Sequence, residues 1–298
     1  GWPKASPAAT RMALADFLLG NYAALTYSFD GIRWARASFP EFREVALVRR
    51  EMAGARYPQP QLGLLLPDST LYSSRPANFF SIEKLPSLEF TLEQMTCPFV
   101  GVSSELPRLD KIRVLLDTGT NRVFSPQLKR ELAAFLRRGG VFVGFPESGK
   151  YTRDGSAGFL ESLKLPAEPG EYAVGSGKVI LLPGVKEQSC DSLRKLFRRL
   201  GLKSPVAIDV PVCNALFEKG DTRYLVLFDK RRELVGSFFR ESTHDAETAK
   251  LPALELTVAP EFEFSEVRDA VTNAPYPVRD GRIRVTLPPA RFLVLRFE

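Results

Sequence analysis

Residues 111–149, KIRVLLDTGTNRVFSPQLKRELAAFLRRGGVFVGFPESG, constrain the fold of this chain more than any other stretch. Val114, Leu115 and Leu116 form a short apolar run, the pattern of a strand buried on both faces of a parallel sheet. Ser125 is a good helix N-cap, and Pro126 stands at the first helical position, where the missing amide donor costs nothing. Leu128, Leu132, Phe135 and Leu136 then fall at i, i+4, i+7 and i+8, which places them on one stripe of a helix. Gly139 and Gly140 stop that helix, and residues 141–145 supply the next strand. Strand, loop, helix, tight turn and strand make a crossover unit, so an α/β layered domain sits in the middle of the chain.

The flanking segments read as follows. Residues 11–20 form a short amphipathic helix closed by Gly20, residues 23–31 a strand ending in a polar, aromatic loop, and residues 43–53 a second helix with Val45, Val48 and Met52 on one side. GARYPQP (54–60) is a linker, LGLLLPDS (62–69) the first strand of the central domain, and CPFVGVSSEL (97–106) a second strand and loop. Residues 80–95 are expected to be helical in part, and residues 150–177 read as a glycine-rich excursion. GKVILLPG (177–184) is a further buried strand, and residues 190–200 are a closing helix with Leu193, Leu196, Phe197 and Leu200 at helical spacing. Its Arg194, Lys195, Arg198 and Arg199 read as a solvated face whose cations favour the helix C-terminus, rather than as a membrane-surface helix. After Pro205 the texture changes to short β-branched and aromatic runs separated by turn residues, among them RYLVLFD, ELVGSFF, ALELTVA, RIRVTL and RFLVLRF. RIRVTL alternates, and Asp280-Gly281 before it is a hairpin signal, so this part reads as an antiparallel β-sandwich.

Composition narrows the function classes. The 298 residues suffice for two domains, and no apolar run approaches membrane-spanning length, so no membrane partner is expected. A net charge of +6 is spread among interspersed acids and bases, which argues against nucleic-acid binding. Cys97, Cys190 and Cys213 are far apart, odd in number and without a CxxC, which argues against a disulfide framework and a cysteine zinc site. His244 is the one histidine, so a multi-histidine metal site has no ligands and a nucleophile–His pair has one candidate base. No cofactor and no metal are expected. The first residues lack the pattern of a signal peptide, and with no initiator methionine they do not look like a natural start.

Three motifs resemble catalytic signatures. LLDTGT around Asp117 matches the aspartic-protease pattern, but that chemistry needs two aspartates sharing a proton, no second Asp-Thr-Gly exists, and a helix follows where that fold needs β-structure. GFPESGK (144–150) has the spacing of a phosphate-binding loop, yet Tyr151 stands where the Ser or Thr belongs and no helix follows Lys150. An elbow nucleophile at the same strand end would need G-x-S-x-G, and Ser148 lacks that glycine spacing; Cys97 is followed by Pro98 and reads as a core cysteine.

Together these features resemble the C-terminal half of family 42 glycoside hydrolases, the β-galactosidases. The resemblance rests on LGLLLPDS, on IRVLLDTGTNRVFSPQLKRELAAFLRRGGVFV, on GKVILLPG and on the last hairpin, RDGRIRVTLPPARFLVLRF; residues 11–30 resemble the end of the family's (β/α)8 barrel. It implies a barrel remnant over 1–56, a flavodoxin- or amidotransferase-like three-layer α/β assembly domain over 57–204, and a small antiparallel β-sandwich over 205–298. It further implies that the acid/base and nucleophile glutamates of a retaining mechanism lie upstream, so that no residue here is catalytic. Tyr27, Asp30 and Trp34 would contact sugar at the barrel end, Trp34 by stacking and Asp30 by accepting hydroxyl hydrogen bonds. The family's use of the middle domain for assembly, often as a trimer, implies self-association. Two rival readings are a self-contained hydrolase using Asp117, Ser148 or His244, and a stand-alone carbohydrate-binding or scaffold protein.

Overall fold

A helix, α1 (Phe39–Glu51), opens the part of the chain that the computed structural model describes, which comprises residues 39–66, 92, 94, 97–105, 107–119, 121–152, 154–184, 190–229, 250–289 and 291–298. These residues form two compact units. One holds residues 59–66, 92 and 97–203; the other joins residues 39–58 and 94 to residues 204–298.

The first unit is α/β. In chain order it contains β1 (Leu62–Leu66), β2 (Phe99–Ser103), β3 (Val114–Asp117), β4 (Val123–Phe124), α2 (Pro126–Arg137), β5 (Val141–Gly144), β6 (Tyr151–Thr152), α3 (Phe159–Ser162), β7 (Gly170–Val174), β8 (Gly177–Leu181) and α4 (Cys190–Arg199). Its six-stranded sheet has the order β2-β1-β3-β5-β8-β7, parallel except for β7, which pairs antiparallel with β8 at one edge. α2 begins where the sequence places it. The Ser125 hydroxyl accepts the Leu128 amide at 3.1 Å, and Gly139 takes the left-handed conformation that ends the helix (φ 89°). The apolar stripe of α2, Leu128, Leu132, Phe135 and Leu136, is buried against Leu115, Phe142 and Val179 on one face of the sheet. Alternate residues point the other way, and Leu116, Val143 and Ile180 are buried too. Glu171 stands opposite Ile180 and so shares its face, and Arg199 at the end of α4 is ion-paired with it. α4 therefore covers the face opposite α2, and the unit is doubly wound.

Residues 150–177 are more structured than their glycine content suggests. They hold β6, which pairs with β4 in a small parallel ribbon, then α3 and the edge strand β7. Phe159 of α3 closes an aromatic cluster with Phe124 and Phe142, the ring centroids lying 5.3–6.3 Å apart.

The second unit is a sandwich of two antiparallel sheets. Its strands are β9 (Val206–Ile208), β10 (Cys213–Lys219), β11 (Thr222–Phe228), β12 (Leu254–Pro260), β13 (Val267–Asp269), β14 (Val278–Arg279), β15 (Arg282–Leu287) and β16 (Phe292–Phe297). One sheet has the order β10-β11-β16-β13 and the other β14-β15-β12-β9. Asp280 and Gly281, both at positive φ, make the expected two-residue hairpin between β14 and β15. β15 alternates exposed and buried, as a strand with one wet face should. β11 does not: its last five residues are all buried, because this sheet is covered on both sides. Leu225 and Leu227 face the other sheet, while Tyr224, Val226 and Phe228 face outward with Phe217 and Val294.

α1 lies over that outer face. Tyr224 donates to the Glu51 carbonyl at 3.4 Å, Arg296 pairs with the Glu51 carboxylate at 3.0 Å, and Arg291 reaches Glu44 at 3.6 Å. Val45, Val48 and Met52 form the buried side of the helix. The sandwich thus carries a helical layer, drawn from sequence that the initial reading grouped with a barrel end, and the helix runs 39–51 rather than 43–53. The segments 1–38, 67–91 and 230–249, including ELVGSFF, lie outside the described residues.

Candidate functional site

In a doubly wound sheet the place to look for chemistry is the carboxyl end of the strands, where the strand order reverses. Here β1 is flanked by β2 and β3, so the crevice lies beyond Leu66, Asp117 and Gly144, and polar side chains converge there. Asp117 is the last residue of β3 and is fully buried (0% exposed). Its Oδ1 accepts the Asn121 amide at 2.5 Å, its Oδ2 accepts the Ser148 hydroxyl, and the amides of Thr118 and Gly119 also donate to the carboxylate. Asn121, 1% exposed, faces three acceptors with one amide group: Asp117, the Leu65 carbonyl at 3.1 Å and the Thr118 hydroxyl at 3.1 Å. The side-chain oxygen of Asn121, Oδ1, accepts no hydrogen bond among the described residues. Ser148, 2% exposed, sits in the turn after β5 and accepts the Phe145 amide at 2.8 Å.

Removal from water pushes the Asp117 carboxyl up to about 6, although the bonds from Ser148, Asn121 and the two amides pull the other way. A Ser–Asp pair at a strand end has the look of a nucleophile with its base. Its surroundings deny that role. The serine oxygen spends an acceptor position on Phe145, and neither side chain meets solvent. His244 lies outside the described residues. Asp117 closes strand β3 and, with Asn121, ties β1, β3 and the β5 turn together.

The phosphate-loop motif is closed for a different reason. The amides of Ser148, Gly149, Lys150 and Tyr151 donate to the carbonyls of Phe145, Asn121, Glu147 and Arg122, at 2.8–3.3 Å. No run of free amides is left to cradle a phosphate. Lys150 is exposed and paired with Glu147 at 3.1 Å, and β6 rather than a helix follows. Gly149 is held at φ 60°, and a Cβ there would stand 2.5 Å from the Phe124 ring, so this glycine serves packing. Burial pushes the Cys97 thiol up to about 11, which makes it an inert core cysteine. Cys213 is buried as well. Among the described residues no group of three or more His, Cys, Asp or Glu is placed to hold a metal, and no helix is long and apolar enough to cross a membrane.

Tyr27, Asp30 and Trp34, the sugar-contacting residues expected from sequence, all lie outside the described residues. The structure brings together Asp117 and Ser148, which two unrelated motifs had singled out. It adds Asn121, for which only its place four residues after a strand-ending aspartate could have served as a signal.

No family model matches the chain, and no curated protein matches it in sequence. Solved structures do. A β-galactosidase from Bacillus circulans sp. alkalophilus superposes with a TM-score of 0.61 at 14% identity, covering 89% of this chain and 45% of its own. A family 42 β-galactosidase from G. stearothermophilus gives 0.61 at 12%, over 88% and 44%. The fold is similar to part of that of family 42 β-galactosidases. The shared β-galactosidase-like fold takes in most of this chain but less than half the length of those enzymes. An α-L-fucosidase, isoenzyme 2 from Paenibacillus thiaminolyticus, matches with 0.61 at 11% identity, over 99% of this chain and 57% of its own. At such identities the likeness is one of fold.

Proposed function

We propose that residues 1–298 are the non-catalytic C-terminal part of a β-galactosidase-like retaining glycoside hydrolase. In this reading the catalytic glutamates belong to a barrel upstream, the α/β unit is an amidotransferase-like domain without a nucleophile that serves assembly, and Tyr27, Asp30 and Trp34 line the sugar site. The observation that carries it is the closed strand-end crevice: Asp117, Asn121 and Ser148 are buried and committed to one another where an α/β enzyme of this strand order would hold its substrate. The family 42 fold, shared over less than half of each β-galactosidase, supplies the context.

The test is to assay residues 1–298 and a longer chain carrying the upstream barrel on an aryl β-galactoside. The shorter chain should show no turnover. The longer one should hydrolyse with retention, and Trp34→Ala in it should raise KM. Robust turnover by residues 1–298 alone would mean that the active site has been misplaced, and sugar binding without hydrolysis by the longer chain would favour a carbohydrate-binding protein.

A further inference from the structure

The α/β unit carries an excess of cations. Among its described residues sixteen Lys and Arg stand against ten Asp and Glu. At the carboxyl end Lys150 is paired with Glu147, and Asp117 is buried. The amino end is different. Arg113 precedes β3 and bonds both the Gln61 side chain ahead of β1, at 3.2 Å, and the Leu200 carbonyl behind α4, at 2.7 Å. Its own carbonyl accepts the Val141 amide just past the end of α2, at 2.9 Å. These bonds bring Lys111, Arg113, Arg137, Arg138, Arg198 and Lys203 onto one edge. All six are exposed, and none is ion-paired with a described residue. Glu171, the one acid of β7, is taken by Lys178 and Arg199, and Asp110, exposed beside Lys111, offsets one of the six charges.

Helix ends do not account for this. The C-termini of α2 and α4 carry about half a negative charge each, roughly one unit for six cations. An excess of this kind left unneutralised repels itself and is a cost to folding, which a polyanion laid across the edge would offset. Four of the six are arginines, whose planar forks pair with anionic oxygens two at a time. Among the described residues the edge offers no exposed aromatic ring, so single-stranded nucleic acid has nothing there on which to stack its bases.

We propose that the amino-terminal edge of the α/β unit docks an anionic polysaccharide. The choice of a polysaccharide rests on the carbohydrate reading above; the choice of an anionic one rests on the edge itself. Polygalacturonate is the probe, with neutral dextran, duplex DNA and anionic-lipid vesicles as comparators, titrated against the full chain from about 50 to 200 mM salt. Polygalacturonate should bind and weaken steeply with salt, and dextran should not bind. Arg137→Gln/Arg138→Gln/Arg198→Gln should weaken binding about tenfold or more and make the salt slope shallower by about two. Arg279→Gln/Arg282→Gln/Arg284→Gln, the same change on an exposed sandwich strand pair, should leave it unchanged. If the triple variant does not fold, Arg137→Gln/Arg138→Gln and Lys111→Gln/Lys203→Gln carry the comparison. Absence of binding at 50 mM salt, equal loss in both triple variants, or tighter binding of DNA or vesicles than of polygalacturonate overturns the proposal. Its failure is separable from that of the hydrolase reading: loss of docking with a longer chain that still hydrolyses galactosides sinks this inference alone, and docking by a longer chain that is inert on sugars sinks the other.

Discussion

Burial and hydrogen bonding pull the Asp117 carboxyl in opposite directions, and burial prevails, raising it from 3.8 to about 6. A carboxyl raised on folding favours the native state fully below about pH 4, and that contribution is lost as pH climbs through 6. The two-unit shift is worth at most about 3 kcal/mol. The urea midpoint of the wild-type chain should therefore fall between pH 5 and pH 7.5 by more than that of Asp117→Asn, whose side chain does not titrate; parallel profiles for the two proteins would refute the assignment. Asp117 and Ser148 were both legible as unusual residues, since each lies in a motif that imitates a catalytic one. That they belong to each other was not legible. Thirty-one positions separate them, and their loops meet through the pairing of β3 with β5 and of β4 with β6, neither of which has a local signal.

At the scale of elements, legibility followed length and burial. α2 was readable because its cap, stripe and stop agree with one another. β4 and β6 are two residues each and carry no period, and β7 lies in a segment whose glycines argue for loop. The outer face of the β10–β11–β16 sheet was visible as continuous apolar runs, but what covers it was not, since α1 comes from about 160 positions earlier in the chain. Local conformation also sets the cost of change at the β5 turn. Gly149→Ala meets both a positive φ and the Phe124 ring, so it should destabilise the α/β unit by about 2 kcal/mol or more, read as a lower urea midpoint. A loss below about 0.5 kcal/mol would show that the turn yields freely.

At the scale of the molecule, the sandwich unit is discontinuous in sequence: α1 lies on one side of the α/β unit and β9–β16 on the other. Residues 59–203 expressed alone should give one cooperative unfolding transition, because their core is assembled without help from the rest. Residues 204–298 alone should aggregate or melt early, since Tyr224, Val226 and Phe228 would lose the cover of α1; a soluble, stable sandwich would show that the helix is dispensable.

The guanidinium of Arg113 touches both Gln61 and Leu200, so the first and last residues of the α/β sheet layers stand within the span of one side chain. A unit whose ends meet can be spliced into a host loop without prying the host apart. On a ribosome the order of events would be set by the same closure. Val45, Val48 and Met52 emerge before the strands they pack on, the spliced unit condenses meanwhile, and the helix waits through its whole synthesis for those strands.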